Sequence, residues 1–474
     1  LLGLVVGVLL TGLVLPFAIG DRGRPAATAG VLSTGASGAG AAAATGSTIA
    51  GGGTAVTAPA AGGPSASGAK AGKVTTAGAG GSRAAATTDT APVKVGFSLF
   101  QVSGAASIGF VINVDPKQEQ AVYQVFVDYL NSTGGINGRK IEPVYSTYDL
   151  LDQNSQNASC LALTQDAKVF AVVGGYNFTS ADACVVDQNK TLLFNNNSFT
   201  TDELYRSGRH VSIFAKASRM MTVFARRMTE SGQIRGKKVG ILDDLGADPD
   251  RSVLAALSAA VKANGGEVVR ESVLSADLAT GSSQIPVEVS QMHTSGAETV
   301  LLIPFGLYGT QFVQQADSQK WTPVYGATDW QAWYSDVAAS NMPASFDGSY
   351  SITTTRTGEV TANIPEPPQA SVCRQIYEKT SGSKVPPRGQ DTYGLTMIDC
   401  DTMLAFAAGA RSAGAGLTYA SFLAGIQRLG AIPEAGWGGG SFGPGKLDLN
   451  DQTRINRWSK DCKCWKPTTP FTGS

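Results

Sequence analysis

Asn131-Ser132-Thr133-Gly134-Gly135-Ile136-Asn137-Gly138-Arg139-Lys140-Ile141-Glu142-Pro143-Val144-Tyr145 is the stretch whose reading decides the fold. Ahead of it, Val122, Val125, Phe126, Tyr129 and Leu130 recur at three- and four-residue spacing, the period of a half-buried helix. Gly134 and Gly135 offer the backbone freedom that ends a helix, so the helix is expected to stop near Asn131. Asn137-Gly138 reads as a turn, and Ile141, Val144 and Tyr145 as a strand. With the apolar run Val93 to Leu99 in front, the whole is one strand–helix–strand unit with its crossover.

The same alternation continues. A helix near Asp152 to Asp166 leads to a strand at Val169 to Gly174, then a helix from Thr179 and a strand at Thr191 to Asn195. A second series follows Phe214: helix to about Glu230, strand Lys238 to Leu242, helix Pro249 to Ala263, strand Glu267 to Val273. It goes on with a helix near Ser283 to His293, a strand Thr299 to Pro304 and a helix Tyr308 to Gln319. Such alternation calls for parallel sheets covered by helices on both faces. Two series divided near Arg209 to Lys216 imply an α/β protein with two Rossmann-like lobes, with ligands at the carboxyl ends of the strands.

Composition narrows the function classes. The chain has 474 residues, too many for one core, and balances 37 basic against 37 acidic residues, so no nucleic-acid-binding face is implied. Two histidines, His210 and His293, argue against a multi-histidine metal site, and no cofactor is expected. Leu1 to Gly20 carries no charge and reads as a secretory signal or a membrane anchor. No lipid-anchoring Cys follows it. Residues 21–91 are nearly all Gly, Ala, Thr, Ser and Pro, which cannot bury enough apolar area to fold, and read as a disordered tether spanning roughly 45 Å.

No catalytic constellation emerges. Gly438-x-Gly440-x-x-Gly443 has dinucleotide-fingerprint spacing without the flanking strand and helix, and Gly440 to Lys446 has Walker A spacing but Leu447 in place of Ser or Thr. No G-x-S-x-G elbow occurs. His293 reads as a surface residue and His210 as structural. Asp243, Asp244 and Asp248 read as a solvated acidic loop.

Binding features are clearer. Gly174-Gly175-Tyr176-Asn177-Phe178-Thr179-Ser180 follows a buried strand and opens a helix, whose free N–H groups suit a carboxylate. Thr179 or Ser180 capping that helix is the alternative. Asn195-Asn196-Asn197-Ser198-Phe199-Thr200 follows the next strand, and three consecutive amides need solvent or a polar ligand. Phe305 and Tyr308 follow one strand of the second series, Asp329 and Trp330 the next, with Trp333 and Tyr334 nearby as an apolar surface or as core. Asp329 would meet a ligand or cap a turn.

The sequence N-x-x-G-G-I-N-G-R-K-I at 131–141, some 40 residues after the first strand, resembles the branched-chain amino acid type of periplasmic substrate-binding proteins of ABC transporters. The resemblance spans about 375 residues. It implies the type 1 periplasmic binding protein fold with a hinge, in which the chain crosses between lobes three times, near Phe214, Ser351 and Ala435. Lobe 1 would be 92–213 plus 352–435, and lobe 2 would be 214–351 plus 436–467. Gly443 to Leu449 resembles the last hairpin, a Gly turn before a strand.

The resemblance also implies a ligand carboxylate held by the loop with Tyr176, Asn177, Thr179 and Ser180, although the family's serines are replaced here. Asn197, Ser198 and Thr200 would form the neighbouring wall, with Phe305, Tyr308, Asp329 and Trp330 opposite. Asp329 would receive a ligand amino group. The lobe assignment pairs Cys160 with Cys184 and Cys373 with Cys400, and leaves Cys462 with Cys464 as a bridge or an open dithiol. The expected function is an extracytoplasmic solute receptor delivering a small polar or amino-acid-like ligand to an ABC permease and ATPase. A sensory ligand-binding domain of the same fold is the alternative, and an enzyme is not expected.

Overall fold

In a computed structural model of the protein, the described residues are 90–101, 115–176, 178–196, 201–329 and 339–473. The apolar segment 1–20 and the tether up to residue 89 lie outside them. Among the described residues, no helix is long and apolar enough to cross a membrane.

The first strand, β1 (Val93–Gln101), is joined to the parallel β2 (Ile141–Asp149) by α1 (Pro116–Ser132). Asp115 caps α1 by accepting the Lys117 N–H at 2.9 Å, and Pro116 occupies the first turn, where its missing N–H costs nothing. The turn between α1 and β2 shows what its residues do. Asn131 donates to the Ile141 carbonyl at 3.0 Å and accepts the Ile141 N–H at 2.7 Å, tying the helix end to the strand start. Gly135 has φ +60°, and a Cβ there would stand 2.1 Å from the Arg139 carbonyl oxygen, so only glycine fits. Asn137 donates to the carbonyls of Arg411 and Gly414 at 3.1 and 2.8 Å, anchoring the turn to a distant helix.

The first sheet has the order β2-β1-β3-β4-β5, all parallel, with β3 (Ala171–Gly174), β4 (Leu192–Asn195) and β5 (His210–Ser212). The helix expected over 152–166 is α2 (Gln153–Leu161) running on into a π-helical turn, Ala162–Asp166. α3 (Thr179–Ala183) likewise continues as a π turn, Cys184–Gln188.

The second lobe holds an eight-stranded sheet, ordered β14-β13-β10-β9-β8-β6-β7 with β15 paired to β13, where β13 is Gln452–Ser459, β14 Cys464–Pro467 and β15 Thr472–Gly473. Its parallel part is β6 (Lys238–Asp244), β7 (Glu267–Leu274), β8 (Thr299–Leu302), β9 (Val324–Thr328) and β10 (Tyr350–Thr353). Helices α4 (Ala217–Glu230), α5 (Ser252–Ala263), α6 (Leu278–Thr294) and α7 (Gly306–Ser318) cover it. The chain then returns to the first lobe, where α8 (Pro368–Ser381), α9 (Asp391–Ser412) and α10 (Tyr419–Gln427) pack Cys373, Cys400, Phe406 and Phe422 into one core with Phe97, Phe126 and Phe194. β11 (Ala431–Ile432) and β12 (Gly440–Ser441) pair with each other.

Trp437, Phe442 and Leu449 still belong to the core of the first lobe. The return to the second lobe is β13 (Gln452–Ser459), antiparallel to β10 and followed by β14 (Cys464–Pro467) and β15 (Thr472–Gly473). The Gly turn expected before the last strand is present, with Gly443 bridged to Lys446, and Leu447 to Leu449 then crosses beside β5. Asp448 bridges Ser212 there, and the strand proper begins at Gln452. The physical reason is the core: Leu449 is fully buried in the first lobe, so the chain cannot leave it sooner.

Three disulfides stay within their lobes. Cys160–Cys184 links α2 to the π turn after α3, with Cα atoms 6.3 Å apart, and Cys373–Cys400 links α8 to α9 at 5.8 Å. Cys462 and Cys464 are bridged across a turn at 5.2 Å, so the dithiol alternative is set aside.

Candidate functional site

β3 ends in a glycine pair because the backbone has to turn against its neighbours. At Gly174 φ is +116°, and a Cβ would stand 2.4 Å from the Ser98 hydroxyl oxygen. The Gly175 carbonyl accepts hydrogen bonds from the hydroxyls of Tyr148 (2.9 Å) and Ser98 (3.2 Å), and its N–H donates to Ser98 at 2.9 Å. These bonds fix Gly175 at the carboxyl end of the first sheet.

The residues of the loop that follows divide. Tyr176, expected at the ligand, is fully buried, with its hydroxyl 3.0 Å from that of Ser159 and its ring 4.9 Å from that of Tyr148. It supports the loop from behind. Asn177 lies outside the described residues. Phe178, rather than Thr179 or Ser180, occupies the cap position of α3 and makes no side-chain cap bond. Ser180 accepts from the Gln153 amide at 2.7 Å. Thr179 does something else: its hydroxyl donates to the Ala247 carbonyl of the second lobe at 2.8 Å.

Ala247 is presented by the acidic loop, which is not solvated. Asp243, Asp244 and Asp248 are all buried, and backbone N–H groups replace the water at Asp244 and Asp248. Asp244 accepts from Phe305 (2.7 Å), Gly246 (2.8 Å) and Ala247 (3.3 Å), and Asp248 accepts from Leu254 at 2.9 Å. Burial outweighs those N–H groups and raises the Asp244 carboxyl. It raises Asp243 far more, with the charges of Asp248 and Asp244 adding to the effect.

Asp244 thus couples two strand ends, holding the Phe305 N–H after β8 and the 246–247 turn after β6. Leu150, Leu151 and Phe178 of the first lobe face Gly246, Ala247, Phe305 and Tyr308 of the second around a cavity of about 40 Å³. Contact is close, since a Cβ on Gly246 would lie 3.3 Å from the Phe178 ring. The two lobes meet at the strand-end loops, with apolar walls and the Thr179–Ala247 hydrogen bond across the gap.

The periplasmic binding protein family matches residues 92–459 of this chain. The chain belongs to that family. Its members are substrate-binding proteins of ABC transporters, not enzymes, and are extracytoplasmic. No curated protein matches the chain. Among solved structures, a Rhodopseudomonas palustris solute-binding protein in complex with 4-hydroxybenzoate is 17% identical, with TM-score 0.59 over 81% of this chain and 97% of that one. A fatty acid ABC transporter substrate-binding protein from Thermomonospora curvata is 15% identical, with TM-score 0.58 over 81% and 92%. A possible leucine/isoleucine/valine-binding protein from Rhodopirellula baltica is 13% identical, with TM-score 0.60 over 81% and 97%.

In this periplasmic binding protein the remaining expected site residues fall into two groups. Asn197, Ser198, Thr200 and Trp330 lie outside the described residues. Asp329 is buried in the second lobe, where its carboxylate accepts from the hydroxyls of Thr353 and Thr354 at 2.6 Å each and from the Thr354 N–H. These bonds cap the end of β10, the turn-capping alternative in the sequence. Asn195 is buried against Asp182, and the Asn196 amide donates to the Tyr123 hydroxyl at 2.9 Å. Sequence reasoning missed Leu150, Leu151 and Gly246 as cleft residues. The apolar pair directly after β2 was the available signal, because a strand's carboxyl end in this fold faces the cleft.

Proposed function

We propose that this chain captures a small carboxylate with an apolar body between its two lobes and delivers it to an ABC permease and ATPase. The observation that carries the reading is the contact of Thr179 and Phe178 with Ala247 and Gly246, which links strand-end loops of opposite lobes. Leu150, Leu151, Phe178, Phe305 and Tyr308 favour an apolar ligand body, within the small polar or amino-acid-like class expected from the sequence. The neighbours' ligands agree in kind, since a hydroxybenzoate, a fatty acid and leucine each join a carboxylate to apolar surface. Lobe 1 is taken as residues 92–213 plus 352 to about 450, and lobe 2 as the remainder to 467. In this reading the N-terminal segments tether the receptor outside the cytoplasmic membrane.

A thermal-shift titration with 4-hydroxybenzoate, leucine and decanoate tests the ligand class. A ligand at a hundred times its Kd adds about 2.7 kcal/mol to the native state and raises the melting temperature. No rise with any of the three contradicts the assignment.

A further inference from the structure

We propose that Glu119 and Asp399 form a separate binding site inside the first lobe for a small monopositive group, an ammonium ion either free or as the head of a primary amine. Glu119 lies in the first turn of α1 and Asp399 in α9, and both line one cavity of about 20 Å³. Glu119 is 8% exposed and Asp399 2%, and Glu119 Oε2 and Asp399 Oδ2 are buried with no hydrogen-bond partner. Among the described residues, the groups around them supply no positive charge, and the Phe100 backbone N–H is the donor to the Glu119 carboxyl. Tyr123 is hydrogen-bonded to Asp399, and the Asn196 amide reaches the Tyr123 hydroxyl at 2.9 Å and Asp399 Oδ1 at 3.4 Å.

Two buried carboxylates are tolerated only if a proton or a cation neutralises the pair. Burial, and then the Asp399 charge, push the Glu119 carboxyl well up, and burial pushes Asp399 up to about 7. The pair therefore holds protons in acid, and a bound cation competes with them as the pH rises. The cavity exceeds the roughly 10–15 Å³ that one water-sized guest requires, which suits a single ammonium and not a hydrated divalent ion with its six or more oxygen ligands. Tyr377 and Leu395 at the wall can cover a short alkyl chain. The site uses residues of one lobe, so it stands or falls independently of lobe closure and transport.

Calorimetric titration of the full chain at pH 8 with ammonium, n-butylammonium and tetramethylammonium chlorides tests the proposal. Saturable binding of ammonium or n-butylammonium is expected, none of tetramethylammonium, and at least a tenfold loss in the Glu119→Gln/Asp399→Asn double variant. Equal affinity for the first two identifies the free ion as the source, and tighter n-butylammonium binding identifies an amine. Wild-type protein provides a second readout should the variant misfold, because binding is expected to vanish at pH 5 as protons replace the cation. Absence of saturable binding at pH 8, affinity unchanged at pH 5, or full affinity in a folded double variant overturns the proposal.

Discussion

Thr179 is one hydroxyl spanning the gap between lobes, and its removal has a calculable cost. In Thr179→Val the Ala247 carbonyl loses its donor in the closed form only, a penalty of about 1–3 kcal/mol. Ligand affinity should fall roughly 5- to 150-fold by calorimetry, with the melting temperature of the ligand-free protein changed far less. An unchanged Kd would remove this bond from the closing contact. His210 makes a prediction of a different kind. Its ring is fully buried beside Tyr205, 4.5 Å between centroids, and burial, then Lys216, push it from 6.5 down to about 3. The unfolded chain takes up this proton below about 6.5 while the folded one does so only near 3, so stability falls as pH falls through that window. The steepest slope is about 1.4 kcal/mol per pH unit. Urea unfolding of His210→Phe between pH 7 and 4 should show a shallower acid limb than wild type, and parallel curves would contradict the assignment.

Where elements cross between lobes, an ion pair between a half-buried arginine and a buried carboxylate holds them together. Arg219 of α4 pairs with Asp448, whose side chain is 4% exposed, and also reaches Asp451 at 3.1 Å. The Lys216 N–H donates to the same Asp448 carboxylate at 2.9 Å. Arg219→Ala leaves a buried carboxylate without its partner and should cost about 3–5 kcal/mol in chemical unfolding; less than 1 kcal/mol would mean that solvent reaches Asp448. The bridge between α8 and α9 closes a loop of 27 residues, and replacing Cys373 and Cys400 with Ala should cost about 3 kcal/mol by the same measurement. The helices and central strands were legible in the sequence because each is an apolar run or stripe of the right period. β5 and β10 were not, since His210-Val211-Ser212 and Tyr350-Ser351-Ile352-Thr353 mix polar and apolar residues that only pairing with neighbouring strands buries. The acidic loop was misread for a related reason. Nothing local announces that Asp244 will meet the N–H of Phe305, 61 residues away.

At the scale of the whole molecule, two α/β lobes joined by three crossings meet at their strand-end loops, and the proposed receptor function requires those loops to close on a ligand. The two-lobed α/β fold could be anticipated from alternation and from the 131–141 signature. The closing contact could not, because it pairs residues 68 apart that share no pattern. All six cysteines are bridged, so introduced thiols at exposed positions accept spin labels selectively. Asn154 in α2 and Ala279 in α6 are exposed positions on opposite lobes, each close in sequence to a residue lining the cavity, Leu151 and Leu278. The most direct test of the receptor account is the electron-spin distance distribution of the Asn154→Cys/Ala279→Cys protein. It should be recorded with and without whichever of 4-hydroxybenzoate, leucine and decanoate raises the melting temperature. The account predicts a shorter, narrower distribution with ligand, reversed on dialysis. A ligand that binds by calorimetry and leaves the distribution unchanged would contradict capture by lobe closure.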